Sequence, residues 1–333
     1  MKVVYKRRRA NWQQNLMCVS HTDRPVELDL CNLNYLELRY SDPKRLPPSQ
    51  PFESLTSSIK HSPHRGEVTV WEFRDDNFRK PRLLLHLRPK NYKPQFAIWY
   101  KQQLWILGAE VLEVYDSNLS RLAVIRDPWL SGAHTIIPDQ KGHLLVSCSA
   151  SDSVIVIDDL THKIVRALRM PNSLYGFNYH LSRTDSVVDH YIINDFQLTH
   201  INCAWPWRDG ILVSTLIQGA IGSFNSNEKY TELLKGFIGC HGARIDQRTG
   251  RIFFADSCLG TVVFLTDAYT IDYRIDAKSK WLHDVHQMND NIFALSVADR
   301  NLIEIMDCTS REVITDIPCN DFGNSTQFIY FGK

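Results

Sequence analysis

The sequence has no apolar run approaching the roughly 18 residues needed to cross a bilayer. Its start, Met1-Lys2-Val3-Val4-Tyr5-Lys6-Arg7-Arg8-Arg9, carries no apolar stretch of the kind that directs secretion. Both absences predict a cytoplasmic protein with no membrane span. The eight cysteines include no C-x-x-C pair, which argues against a structural zinc or a redox couple. Cys148, Cys203, Cys240, Cys258 and Cys308 fall inside apolar strand patterns, where a free thiol behaves as a small hydrophobe. No Gly-rich dinucleotide fingerprint, phosphate loop or nucleophile elbow occurs, so nucleotide-dependent and α/β-hydrolase chemistry have no motif to rest on. Charge of one sign is missing too: 38 Lys and Arg against 37 Asp and Glu leave a net charge of +1. The one basic cluster, Lys6 to Arg9, reads as a solvated terminus and predicts no nucleic-acid partner.

What the chain does have is self-similarity. Four segments carry a histidine at a comparable place: Ala133-His134-Thr135-Ile136, Thr199-His200-Ile201-Asn202, Cys240-His241-Gly242-Ala243 and Leu282-His283-Asp284-Val285. Nine to eleven residues later each is followed by an apolar strand, at Leu144, Ile211, Ile252 and Ile292. The intervals His200 to His241 and His241 to His283 are 41 and 42 residues, close to the roughly 40–45 of a four-stranded propeller blade. His134 to His200 is 66 residues, one blade plus an insertion. A further unit, opening at Gln95-Phe96-Ala97-Ile98, keeps the strands without the histidine, and Thr326-Gln327-Phe328-Ile329-Tyr330 resembles its first strand.

These repeats predict an all-β fold, a single β-propeller over residues 1–333 with six four-stranded blades. Pairing of N- and C-terminal strands closes the ring and removes exposed edges. With 44% hydrophobic residues, 333 residues suffice for a large core. The Pro- and Ser-rich stretch 41–63 reads as a surface loop within the first blade, and 171–198 as an interblade insertion that caps the central channel.

If the four segments are innermost strands in one register, His134, His200, His241 and His283 converge in the channel at one height. Repeats normally share packing residues rather than a titratable ring, so a shared histidine predicts a metal site. Four imidazoles without a carboxylate suit Fe(II) or Zn rather than Ca²⁺ or Mg²⁺. Within the insertion, Tyr179, Arg183 and His190 are the candidate acid, base or substrate contacts; the alternative is an ordinary interblade hairpin. Asn202, Arg244, Ile136 and Val285 are the candidate substrate-binding residues, with Arg244 able to reach an anionic substrate or an interblade carboxylate. Asp284 is expected to point out of the channel and bond between blades.

The four-histidine pattern at His134, His200, His241 and His283 is similar to that of the carotenoid-cleaving oxygenases, propellers that hold one non-haem Fe(II) on four histidines. The likeness implies O₂ activation over a small organic substrate, although this chain is much shorter and one blade smaller. The pattern also resembles the peptide-amidating lyases, six-bladed propellers with a three-histidine Zn²⁺ site, which implies a zinc-dependent lyase or hydrolase. The chain as a whole looks like uncharacterised bacterial propeller proteins, a likeness that implies a fold and no activity. The non-enzymatic alternative is an interaction scaffold, with Trp12, Trp205-Pro206-Trp207 and the Pro-rich stretch as partner-binding loops.

Overall fold

The computed structural model describes residues 15–21, 66–73, 78–87, 94–108, 111–171, 199–318 and 326–332. Every strand described belongs to a four-stranded antiparallel sheet. The N-terminal strands are β1 (Asn15–His21), β2 (Gly66–Phe73) and β3 (Pro81–Leu87). Next come β4 (Pro94–Tyr100), β5 (Gln103–Gly108), β6 (Leu112–Tyr115) and β7 (Arg121–Ile125), which form one blade. The following blade is β8 (Ala133–Pro138), β9 (His143–Cys148), β10 (Ser153–Asp158) and β11 (Ile164–Arg169). Then β12 (Ile201–Trp207), β13 (Gly210–Thr215), β14 (Ala220–Phe224) and β15 (Tyr230–Lys235) make a third. A fourth holds β16 (Cys240–Ile245), β17 (Ile252–Asp256), β18 (Thr261–Leu265) and β19 (Ile271–Asp276). The fifth contiguous blade is β20 (Leu282–Gln287), β21 (Ile292–Val297), β22 (Leu302–Asp307) and β23 (Glu312–Pro318).

The last strand, β24 (Thr326–Gly332), pairs with β1, giving a sheet in the order β24-β1-β2-β3 that joins the two ends of the chain. Strand β24 packs against β20 on one side and β4 on the other, and β4, β8, β12, β16 and β20 each touch the next, so the first strands of the sheets close a ring. The chain is an all-β propeller of four-stranded blades. The expected loop at 41–63, all of the expected 171–198 insertion except Pro171, and Trp12 lie outside the described residues.

Burial follows position in the blade. Strands β9, β10 and β17 are packed between neighbouring blades on both faces, so they are written as near-continuous apolar runs such as Leu144-Leu145-Val146 and Val154-Ile155-Val156-Ile157. The outermost strands β7 and β19 meet solvent, and there Leu122, Val124 and Ile271 are exposed. Side-chain carbonyls fasten the tight turns: Asp139 Oδ1 accepts from the backbone N–H of Lys141 (2.7 Å), Asn225 Oδ1 from Asn227 (3.0 Å) and Asp307 Oδ1 from Thr309 (2.8 Å).

Four of the cysteines behave as expected. Cys148, Cys203, Cys240 and Cys308 are free thiols, and burial pushes Cys203 and Cys308 up to about 12. Cys258 departs from the expectation: it is disulfide-bonded. Among the described residues no helix is long and apolar enough to cross a membrane.

Candidate active site

Backbone hydrogen bonds fix which residues of the blades correspond. The N–H groups of Ser149, Leu216, Ser257 and Ala298 donate to the carbonyls of Gly132, His200, Gly239 and Trp281, at 2.9, 3.0, 2.9 and 3.1 Å. Two residues beyond those carbonyls stand His134, Asn202, His241 and His283, and these four are therefore equivalent. Strand pairing agrees: the inner strand bulges at or beside this place in each case, passing over His134, Asn202 and His283, and setting Gly242 and Ala243 against one partner. The same bulge passes over Gln95 on β4 and Gln327 on β24. One register position of the inner ring thus carries a glutamine, asparagine or histidine in every sheet.

His200 does not belong to that position. It stands two residues earlier, at the place held by Gly132 and Gly239, and shares their left-handed backbone: φ is +53° at His200, +62° at Gly132 and +82° at Gly239. A side chain in that conformation costs about 1–2 kcal/mol relative to glycine. The expectation of four histidines at one height is corrected accordingly. The next inward layer changes with it, because Ile136 and Val285 correspond to Ala204 and Ala243 rather than to Asn202.

The imidazoles assemble as two pairs. His134 and His200 lie with ring centroids 4.9 Å apart at 44°, and His241 and His283 4.4 Å apart at 38°. The second pair is sealed: both members are 0% exposed, and Trp281 packs edge-on to His241 at 5.8 Å. The first pair retains 8% and 6% exposure, so it is the less completely enclosed of the two, although His134 Nδ1 and His200 Nε2 are themselves buried. Between the pairs stands Asn202, whose Nδ2 donates to the Cys240 carbonyl (2.6 Å) while Ser214 Oγ donates to its Oδ1 (2.7 Å). Asn202 is wholly buried in these bonds.

This arrangement does not fit a four-nitrogen metal centre. Such a centre needs all donors within about 2.1 Å of one point, and among the described residues no three His, Cys, Asp or Glu side chains come close enough together to hold an ion. The physical reason is the two-residue offset of His200, which puts its ring on His134 rather than in a common ring with His241 and His283.

His134 and His241 each find a hydroxyl partner in the turn after the second strand of their own blade. Ser149 Oγ lies 3.2 Å from His134 Nε2 and donates to the Gly132 carbonyl (3.0 Å), so His134 Nε2 carries the proton and the lone pair of the neutral ring sits on Nδ1. Ser257 Oγ, at the equivalent place, lies 2.7 Å from His241 Nδ1.

The remaining predicted residues separate. Arg244 is 1% exposed and forms a two-pronged ion pair with Asp284, Nη1 to Oδ1 at 2.6 Å and Nη2 to Oδ2 at 2.9 Å. It donates as well to the Val285 carbonyl and lies 5.5 Å from the Trp205 ring centroid. Burial opposes its charge, but Asp284 outweighs that and holds its pKa above the ordinary arginine value. Of the two roles expected of Arg244, the structure shows the interblade carboxylate. Ile136 and Val285 are fully buried within apolar clusters between blades rather than lining an open channel. Trp205-Pro206-Trp207, expected as a loop, is the end of β12; Trp207 is stacked by the Arg208 guanidinium at 4.3 Å. Tyr179, Arg183 and His190 lie outside the described residues.

No protein-family model matches the sequence, and no curated protein matches it either. Solved structures do. A protein of unknown function from Bacteroides caccae has a TM-score of 0.61 at 9% identity, covering 95% of this chain and 98% of that one. A chain of the nidogen/laminin complex reaches 0.60 at 9% identity, covering 82% of this chain and 96% of that chain. A catalytically inactive histidine-to-alanine variant of virginiamycin B lyase from Staphylococcus aureus, with quinupristin, reaches 0.51 at 12% identity, covering 79% and 86%. These likenesses establish a propeller fold.

Proposed function

We propose that this protein is an enzyme in which His134 and His200 act as an acid–base pair on a small organic molecule, in a lyase- or hydrolase-type reaction. The observation that carries the reading is the backbone of His200. Two other blades put glycine at this place, at no strain, whereas here an imidazole is held in the left-handed region with its ring against His134. Strained side chains that the surrounding structure over-determines cluster at functional sites. The pair also has the chemistry: two adjoining imidazoles offer one ring to take a proton and another to return one, the two roles that acid–base catalysis needs.

In an elimination, one imidazole of the pair removes a proton from carbon, the C–H electrons form the new double bond, the adjoining carbon–oxygen bond breaks with its electrons moving onto oxygen, and the partner imidazole supplies a proton to that oxygen. In a hydrolysis the same base takes the proton from water instead. Neither route passes electrons through a metal, and among the described residues the four histidines do not meet at one point. The virginiamycin B lyase likeness is consistent with a propeller that depends on a histidine, at the level of the fold. We read the ring as six-bladed, the five contiguous blades being completed by the sheet that joins both chain ends.

The test is turnover by the intact protein of a panel of cyclic depsipeptides, lactones and simple esters followed by mass spectrometry, with His200→Gly alongside. General acid–base participation predicts a loss of about 100-fold or more in that variant. Turnover equal to that of the unsubstituted protein would remove the assignment.

A further inference from the structure

A second place that holds glycine in two other blades carries a side chain beside His200, in the preceding blade. The N–H groups of Asp152, Gly219, Gly260 and Asn301 donate to the carbonyls of Ser149, Leu216, Ser257 and Ala298, at 3.3, 3.3, 3.0 and 3.2 Å. All four close the same turn, with φ of +43°, +55°, +62° and +54°. Around Gly219 and Gly260 there is no space for a side chain: an added Cβ would collide with the carbonyls of Phe237 and Ser279, in the segments that lead into β16 and β20. At the corresponding turn of the β8–β11 blade, Asp152 stands instead, and its carboxylate takes hold of the segment that leads into β12.

That hold is specific. Asp152 Oδ1 accepts from Thr199 Oγ1 (2.6 Å) and from the His200 N–H (2.8 Å), and both carboxylate oxygens lie 3.3 Å from the Thr199 N–H. Asp152 is 6% exposed and Thr199 is 0% exposed, so these bonds are shielded from competing water. The same four-residue turn supplies Ser149 to His134. One turn therefore sets both imidazoles; the equivalent turns carry Gly219, Gly260 and Asn301, and only at Asp152 is the following strand led in by His200.

Resting on the acid–base reading above, we propose that Asp152 is a positioning residue: its carboxylate fixes the left-handed backbone of His200 and so holds the His200 ring on His134. The inference is tested with the full-length protein carrying ¹³C,¹⁵N-labelled histidine. Asp152→Gly installs the residue found at this turn in two other blades. It is expected to keep the fold by near-ultraviolet circular dichroism, to shift the His200 amide and imidazole resonances, and to lower turnover about tenfold or more. Asp152→Asn retains a side-chain carbonyl that accepts the same N–H groups, and is expected to restore the His200 resonances and most of the turnover. Unmoved His200 resonances in Asp152→Gly would overturn the proposal. If Asp152→Gly does not fold, Asp152→Asn decides, because displaced His200 resonances in a folded Asp152→Asn protein would equally overturn it. Failure here is distinguishable from failure of the catalytic reading, which falls only if His200→Gly retains turnover.

Discussion

Replacing His200 by glycine and, separately, by alanine inverts the usual order of stability. At an ordinary strand position glycine is the less stable of the two by about 0.5–1 kcal/mol, because it loses more backbone freedom on folding. At φ +53° the alanine Cβ instead meets the left-handed penalty of about 1–2 kcal/mol. Both variants lose the same imidazole, its packing on His134 and whatever that ring contributes, and both keep the backbone N–H that donates to Asp152. Those common losses cancel in the comparison. His200→Gly should therefore be more stable than His200→Ala by about 0.5–1 kcal/mol, or about 1 °C in melting temperature for a chain of this size. Paired urea titrations and thermal melts of the two variants, fitted with a shared slope, resolve a difference of that size. An alanine variant equal to or more stable than the glycine variant would refute the argument that His200 occupies a glycine place under strain.

Arg244→Ala should destabilise the fold by about 3–5 kcal/mol, since it leaves Asp284 charged and buried, whereas Arg244→Met combined with Asp284→Leu should cost much less; urea unfolding of the three proteins checks this. Gly260→Ala should cost about 2–4 kcal/mol through collision with the Ser279 carbonyl and the positive φ, and a melt unchanged within 1 °C or so would contradict the tight turn. Burial raises the Asp256 carboxyl above its ordinary 3.8 more than the Arg274 guanidinium beside it lowers it. Because the folded pKa is the higher one, the stability linked to this group is present below 3.8 and is lost as pH rises through the folded value. Unfolding free energies measured across the acid range should decline more steeply with pH for the native sequence than for Asp256→Asn.

The sequence by itself determined the blades. Intervals of 41 and 42 residues and recurring runs such as Ile252-Phe253-Phe254-Ala255 report strands buried on both faces, a property of composition that survives changes in the connecting turns. The pairing of the chain ends was legible for the same reason, in the likeness of the Thr326 and Gln95 segments, and β24 indeed lies on β1. Asp284 was legible as an interblade residue from strand alternation, and it binds Arg244 across the blades.

The register of the histidines was decided only in three dimensions. Sequence spacing locates each histidine only by its distance to the next apolar strand, and that distance spans a hairpin whose length differs between blades. Only two residues separate Trp207 from Gly210, while six separate Ile245 from Ile252. Such variation conceals the two-residue offset of His200, and a bulge in each inner strand adds a further residue that no spacing records. Hydrogen-bond pairing measures register directly, and it moves Asn202 into the histidine position and His200 into a glycine position. The sequence signal that would have shown it is the alignment of His200 with Gly132 and Gly239, a residue type that only a left-handed backbone makes equivalent to histidine. Which imidazoles pair, and which pair is the more completely enclosed, follow from that offset and from the packing of Trp281 against His241, both of which depend on contacts between blades far apart in the chain.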